Sequence, residues 1–244
     1  METRIDEVAD GIFRLSSWVP KVTAEGFTFN QFLIRAEQPM LFHCGHRSMF
    51  AQISQAVAKL IPVERLRWIG FSHLEADESG AMNLWLAAAP QAELAHGAIG
   101  CMTSLTDLAD RPPRLLADGE VLDLGGKRVR HIDTPHLPHG WDARLLFEET
   151  TATLLCSDLF AHTGNPPSVT EGDIVGPALA MERLVRAISV TPATRAQLGR
   201  LADLEPRTLA LMHGASFRGD TRAALRDLAA GLASLAAEAP AAAE

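Results

Sequence analysis

The chain contains no tyrosine. That removes a common general acid, and a hydroxyl that often steadies a neighbouring polar group, from any mechanism built on it. Only three cysteines occur, Cys44, Cys101 and Cys156, and they lie far apart. An odd count with no close pair makes neither a disulfide framework nor a zinc knuckle, so each reads as a small buried apolar residue. No apolar run is long enough to span a bilayer. The start, Met1-Glu2-Thr3-Arg4-Ile5-Asp6, has neither the basic nor the apolar region of a signal peptide. The expectation is a cytoplasmic protein with no membrane partner. Basic residues are outnumbered, giving a formal charge of -8, and no Lys/Arg cluster interrupts that balance. A nucleic-acid partner is excluded on that ground.

What is present is a chain of 244 residues, 47% of them apolar, enough for one large domain or two small ones. Residues 1–45 read as strands separated by turns, with alternation over Gly11–Leu15 and Thr28–Ile34. Phe50, Ile53, Ala56, Val57 and Leu60 share one face of a helix over 47–60. A strand over Leu66–Phe71 and a helix from about Gly80 to Ala89 follow. The second half repeats the order. It has strand pairs around 121–132, joined by Gly125-Gly126, and around 144–156, then a surface loop over 161–174. Helices at 177–189 and 193–203, a strand at 208–212 and a helix at 220–236 complete it. Two halves of strands then helices suit an α/β, four-layer αββα sandwich. Residues 1–236 form the domain; 237–244 read as a frayed Ala/Glu/Pro tail.

Between the strand Leu66–Phe71 and the next helix lies Ser72-His73-Leu74-Glu75-Ala76-Asp77-Glu78-Ser79. Three metal-binding side chains alternate there, His73, Glu75 and Asp77. Taken alone, the stretch also reads as an acidic loop with Asp77 or Ser79 as N-cap. Three further strand ends carry the same kind of residue. The loop after 127–132 holds His136 and His139, Asp158 follows 153–156, and His213 follows 208–212. Four such segments in one domain place their side chains on one edge of the sheets. Two divalent ions close together repel each other, and carboxylates offset that repulsion while imidazoles fill the remaining positions. On this reasoning His73, Glu75 and His139 hold one metal, Asp77 and His213 a second, and Asp158 bridges them.

The pattern resembles the metal-binding pattern of the metallo-β-lactamase superfamily, and its flavodiiron branch in particular. Hydrolases of that superfamily have His-x-His-x-Asp-His at the first motif. Here Glu75 stands in place of the second His, the exchange that marks flavodiiron proteins. Eighteen residues separate His139 from Asp158, which is the flavodiiron spacing, and His139-Gly140-Trp141-Asp142 is similar to that branch's His-Trp-Pro-Asp segment. The resemblance covers roughly residues 5–230. It implies two iron ions and binding of dioxygen or another small diatomic ligand, as a sensor or as an oxidase with an external electron donor. No flavodoxin-like domain follows the body, so the resemblance implies no flavin in this chain. It also implies a homodimer, the tendency of flavodiiron relatives. The alternative is a zinc or manganese hydrolase acting on an ester, thioester or phosphodiester.

Glu78 departs from the family, which often has His there; it coordinates the second metal, supports a ligand from behind, or caps the helix. His136 competes with His139 as ligand, which spacing favours, or stands behind the ligands. His43 and His46 flank Cys44-Gly45 and are either partners of a ligand carboxylate or ordinary packing. His96, His131 and His162 read as structural, with His162 also placed to line a pocket. Phe27, Trp141 and Phe160 are candidates for its apolar walls.

Overall fold

The structure, a computed structural model, describes residues 2–238. Two seven-stranded sheets stack face to face. The first begins with an antiparallel meander of β1 (Thr3–Ala9), β2 (Ile12–Val19), β3 (Phe27–Ile34) and β4 (Met40–Phe42). It continues in parallel through β5 (Trp68–Gly70), β6 (Glu93–Gly97) and β7 (Arg114–Leu116). Parallel neighbours need crossovers. α1 (Phe50–Ala58) supplies the first, and α2 (Ala76–Ser79) with α3 (Met82–Ala88) the second. The third is one helical run of α4 (Ala98–Gly100), a π-helical turn (Cys101–Leu105) and α5 (Thr106–Leu108).

The second sheet has an antiparallel run of β8 (Val121–Asp123), β9 (Arg128–Asp133), β10 (Arg144–Glu148) and β11 (Thr153–Ser157). Gly125 and Gly126 both adopt positive φ, +73° and +83°, as the two-residue turn between β8 and β9 demands. β12 (Val169–Thr170) pairs with β14 (Ser216–Phe217), and β13 (Thr208–Leu211) lies parallel to β11. α6 (Val175–Val185) and α7 (Thr194–Ala202) cross between them, and α8 (Thr221–Glu238) closes the chain.

Alternation along each strand sorts its side chains into three apolar layers. Leu33, Leu41 and Ile69 face outward with Ile53 and Val57 of α1 and Trp85 and Leu86 of α3. Phe32, Ile34, Met40 and Phe42 face inward and meet Leu146, Leu155 and Ala210 of the other sheet. Leu145, Leu154, Leu209 and Leu211 face outward under α6, α7 and α8. Sheets buried on both faces read as near-continuous apolar runs, which is why these strands stand out in the sequence. The architecture is the αββα sandwich.

The structure departs from the expected elements at several places. α2 begins at Ala76, ahead of the expected helix start, with Glu75 at the N-cap and no side-chain cap bond. Asp77 and Glu78 lie inside the first turn, and Ser79 Oγ donates back to the Glu75 carbonyl at 2.8 Å, so neither Asp77 nor Ser79 is the cap. α6 stops at Val185, where Arg186 turns into the left-handed region. The loop 161–174 contains β12, and β7 lies in a stretch, 114–116, to which the sequence assigns no strand. These strands, of two and three residues, are too short for periodicity to mark. α8 continues to Glu238, and the rest of the expected tail, residues 239–244, lies outside the described residues. Among the described residues no helix is long and apolar enough to cross a membrane.

Candidate metal centre

β9, β11 and β13 run in one direction, so their C-terminal ends open on one edge of the second sheet. β4 and β5 are likewise parallel in the first sheet. The loops after these strands bring the six predicted side chains together. Leu74 N–H donates to Asp142 Oδ2 at 3.0 Å, which ties the His73–Glu75 loop to the His139 loop. α3 is anchored behind the motif by Trp85, fully buried, whose Nε1–H donates to the Cys44 carbonyl at 2.8 Å.

The cluster has two lobes. In one, Glu75 Oε2 lies 3.0 Å from His73 Nε2 and 2.8 Å from His139 Nε2. In the other, Asp77 Oδ2 lies 3.3 Å from His213 Nε2. Asp158 faces both: Oδ2 is 3.4 Å from His73 Nε2 and 3.6 Å from His139 Nε2, and Oδ1 is 3.2 Å from His213 Nε2. One donor atom each from His73, Glu75, His139 and Asp158 falls within 4.8 Å of the others.

His213 is the best positioned of the imidazoles. Its Nδ1–H donates to the Thr28 carbonyl at 2.7 Å, which turns Nε2 and its lone pair into the cluster. Its ring stacks on Phe27 with centroids 4.3 Å apart. The next residue, Gly214, donates to Thr28 Oγ1, and its carbonyl accepts from buried Arg14 at 2.9 Å and Asn30 at 3.0 Å.

The electrostatics fit cations. Burial lowers the affinity of His73 for a proton, yet the carboxylates of Glu78, Glu75 and Asp158 outweigh it and push its pKa up to about 9. His213 is pushed up to about 10, against its burial, by Asp158 and Asp77. Hydrogen bonds from His139 and His73 hold the Glu75 carboxyl well below the usual carboxylate range. Asp158 Oδ1 is buried and makes no hydrogen bond, although His213 Nε2 is close. Three carboxylates around three imidazoles thus draw positive charge to their centre. The N/O donor set, without a thiolate, suits iron, manganese or zinc.

Glu78 is turned away from both lobes. It is fully buried, and its Oε2 accepts from His43 Nδ1 and from Ser72 N–H, each at 2.7 Å. Its Oε1 accepts from Ser157 Oγ at 2.5 Å and lies 3.8 Å from His73 Nδ1. With both oxygens engaged in this way, Glu78 takes the place of a partner to His43 and His73, behind the cluster, and not that of a helix cap. His136 is exposed, with φ +67°, and stays outside the cluster. His43 is buried against Glu78, whereas His46 packs on Phe29. His96 and His131 lie buried away from the cluster. His162 accepts from Ala215 N–H at 3.2 Å and supports the Gly214 turn rather than lining the cavity.

A cavity of about 220 Å³ opens beside the cluster, with Glu75, Asp77, His139, Asp158 and His213 at its inner end. Its walls are mostly apolar, among them Phe27, Phe160, Met181, Val185, Ile188 and Leu232. Trp141 is 62% exposed and is not part of them. The α6 and α8 side chains, and Glu182 among them, carried no marker in the sequence, because their approach to the cluster is purely tertiary.

Fold and site together define a metallo-β-lactamase-type sandwich whose edge carries a two-lobed His/carboxylate cluster. The chain belongs to the ODP family beta lactamase proteins, whose family model matches residues 27–214. The putative diflavin flavoprotein A 2 of Synechocystis is 33% identical over 138 residues, 55% of this chain and 24% of that protein. The rubredoxin-oxygen oxidoreductase of Megalodesulfovibrio gigas is 24% identical over 204 residues, 80% of this chain and 50% of that protein. The matches thus span about a quarter to a half of these relatives. Among solved structures, the flavodiiron core of Flv1 from Synechocystis superposes with a TM-score of 0.80 at 22% identity, covering 98% of this chain and 62% of that one. A 1–254 fragment of the putative diflavin flavoprotein A 5 from Nostoc gives 0.79 at 18% identity, covering 96% and 98%. These likenesses establish the fold.

Proposed function

We propose that the chain is a non-haem diiron protein that binds dioxygen and reduces it, as a sensor or as an oxidase served by an external electron donor. The observation that carries this is the place of Glu75: a carboxylate, and not an imidazole, lies between His73 and His139. An extra anionic oxygen donor favours hard, oxygen-loving metals and their higher oxidation states over zinc. The likeness to a rubredoxin-oxygen oxidoreductase and to a flavodiiron core supports the same reading.

In this reading His73, Glu75 and His139 would hold one iron and Asp77 and His213 the other, with Asp158, which faces both lobes, shared between them. A ferrous pair bound there would supply the electrons for reduction of dioxygen. The remaining work falls to the chain. Thr28 fixes the His213 tautomer, Glu78 stands behind His73, and the Asp142 bond holds the two ligand loops together. The apolar walls exclude bulk water and favour an uncharged diatomic ligand.

Metal analysis of protein purified from iron-supplemented cells tests this. The expected result is about two irons per chain, as the two lobes require, with an absorption change when anaerobic ferrous protein meets air. Zinc content with ester hydrolysis and no response to air would establish the hydrolase instead.

A further inference from the structure

The cavity beside the cluster has one carboxyl that no imidazole engages. Glu75, Asp77 and Asp158 all face ring nitrogens, whereas Glu182, on α6, lines the apolar wall. Its Oε1 accepts from Ile188 N–H at 3.0 Å, just beyond the helix end, which fixes the carboxyl where the chain turns. Glu182, Ile188 and Leu232 also border a second, outer groove with Arg183, Arg186 and Glu238. Glu182 therefore stands in the partition between the inner cavity and that groove.

We propose that Glu182 is the residue that delivers protons to dioxygen as it is reduced in the cavity. The proposal rests on the dioxygen reading of the metal centre. Each dioxygen that takes two electrons also takes two protons to become hydrogen peroxide, the electrons coming from the ferrous pair. The O–H bond of the Glu182 carboxylic acid breaks, the proton passes to an oxygen of the reduced dioxygen, and a carboxylate remains. Water in the outer groove returns a proton to it, and the cycle supplies the second. The chain has no tyrosine, so no phenol performs this task.

The surroundings favour a carboxyl that holds its proton. Burial among apolar side chains raises the Glu182 pKa, while the Ile188 and Ala187 N–H groups and the charge of His139 pull it back down. The titratable and charged groups around it are Glu75, Asp77, His139, Asp158 and His213 across the cavity, Arg183 and Arg186 at its own helix end, and Glu238 on α8. The upward shift favours the acid form, which can donate a proton and recover it.

Two measurements on the full chain decide the matter. In metal-free protein the infrared C=O band of a protonated carboxyl that is missing from Glu182→Gln should disappear at a higher pH than the band of an ordinary glutamate. In iron-loaded protein, anaerobic ferrous samples are mixed with oxygenated, weakly buffered solution containing a pH-indicator dye. Proton uptake should slow by about a hundredfold in Glu182→Gln and recover to within about tenfold of wild type in Glu182→Asp, with iron content unchanged. A Glu182 band that disappears no later than that of an ordinary glutamate, or uptake by Glu182→Gln at the wild-type rate, overturns the role of Glu182. If the wild type itself neither oxidises nor takes up protons, the dioxygen reading fails, and this inference with it.

Discussion

His43 Nδ1 donates to Glu78 Oε2 at 2.7 Å, and both side chains are wholly buried. The pair closes a network in which Glu78 also receives Ser72 N–H and the Ser157 hydroxyl. Burial opposes the Glu78 charge, but His43 and His73 more than compensate, so its pKa is lowered. Glu78→Ala removes the acceptor and strands three buried donors. It should cost about 3–5 kcal/mol, a fall in Tm of roughly 6–20 °C for a chain of this size. Glu78→Gln keeps an acceptor and should cost less. Thermal unfolding of the metal-free variants separates these outcomes.

Glu75→His tests the chemistry of the first lobe. The substitution keeps a donor between His73 and His139 but replaces an anion with a neutral nitrogen. Iron content should fall, zinc content should rise, and the absorption response to air should weaken. Unchanged iron loading and an unchanged response would mean that Glu75 does not set the metal preference.

The clustering of the six predicted side chains was legible because its logic is local. His73-x-Glu75-x-Asp77 is a spacing within one loop, and His139, Asp158 and His213 each follow an apolar run that reads as a strand. The order of those strands then places them on one edge. Glu78 could not be read the same way. Its partners His43 and Ser157 lie 35 and 79 residues away, and nothing nearby in sequence says that it turns inward. Glu182 was invisible for a similar reason: on an amphipathic helix it is one polar residue among several, until α6 and α8 bring it to the cavity. Gly214 gave no sign of its crowding, because His162 folds over it from another loop.

Glu148 gives a pH dependence that is independent of the metal centre. It is buried at the β10–β11 turn, where its oxygens accept from the N–H groups and hydroxyls of Thr150 and Thr151. Burial raises its pKa, but these four bonds win and the net shift is downward. In the unfolded chain its pKa is about 4.3. The unfolded state therefore binds the proton first on acidification. The contribution to stability is full above that value and is lost as pH falls through the lower folded value. Tm of metal-free protein should drop below about pH 4.5, and the difference between wild type and Glu148→Gln should shrink over the same range. A difference that stays constant with pH would show that the bonds do not depend on ionisation.

Gly214 combines two constraints that can be separated by experiment. Its φ of +108° is open to glycine and strained for any side chain, and a Cβ there would lie 2.1 Å from His162 Cε1. Gly119, at φ +78°, has nothing within 4 Å of a Cβ. Gly119→Ala should therefore show backbone strain alone, about 1 kcal/mol. Gly214→Ala adds displacement of the His162 ring and should cost about 3 kcal/mol or more. The Gly214 carbonyl is also the acceptor for Arg14 and Asn30, and its N–H meets Thr28, the residue that orients His213. The movement should thus reach the second lobe and leave the first intact. Iron-loaded Gly214→Ala is expected to retain about one metal per chain, while Gly119→Ala retains the wild-type content. Equal metal content in the two variants would mean that the turn supports the fold but does not hold His213 in place.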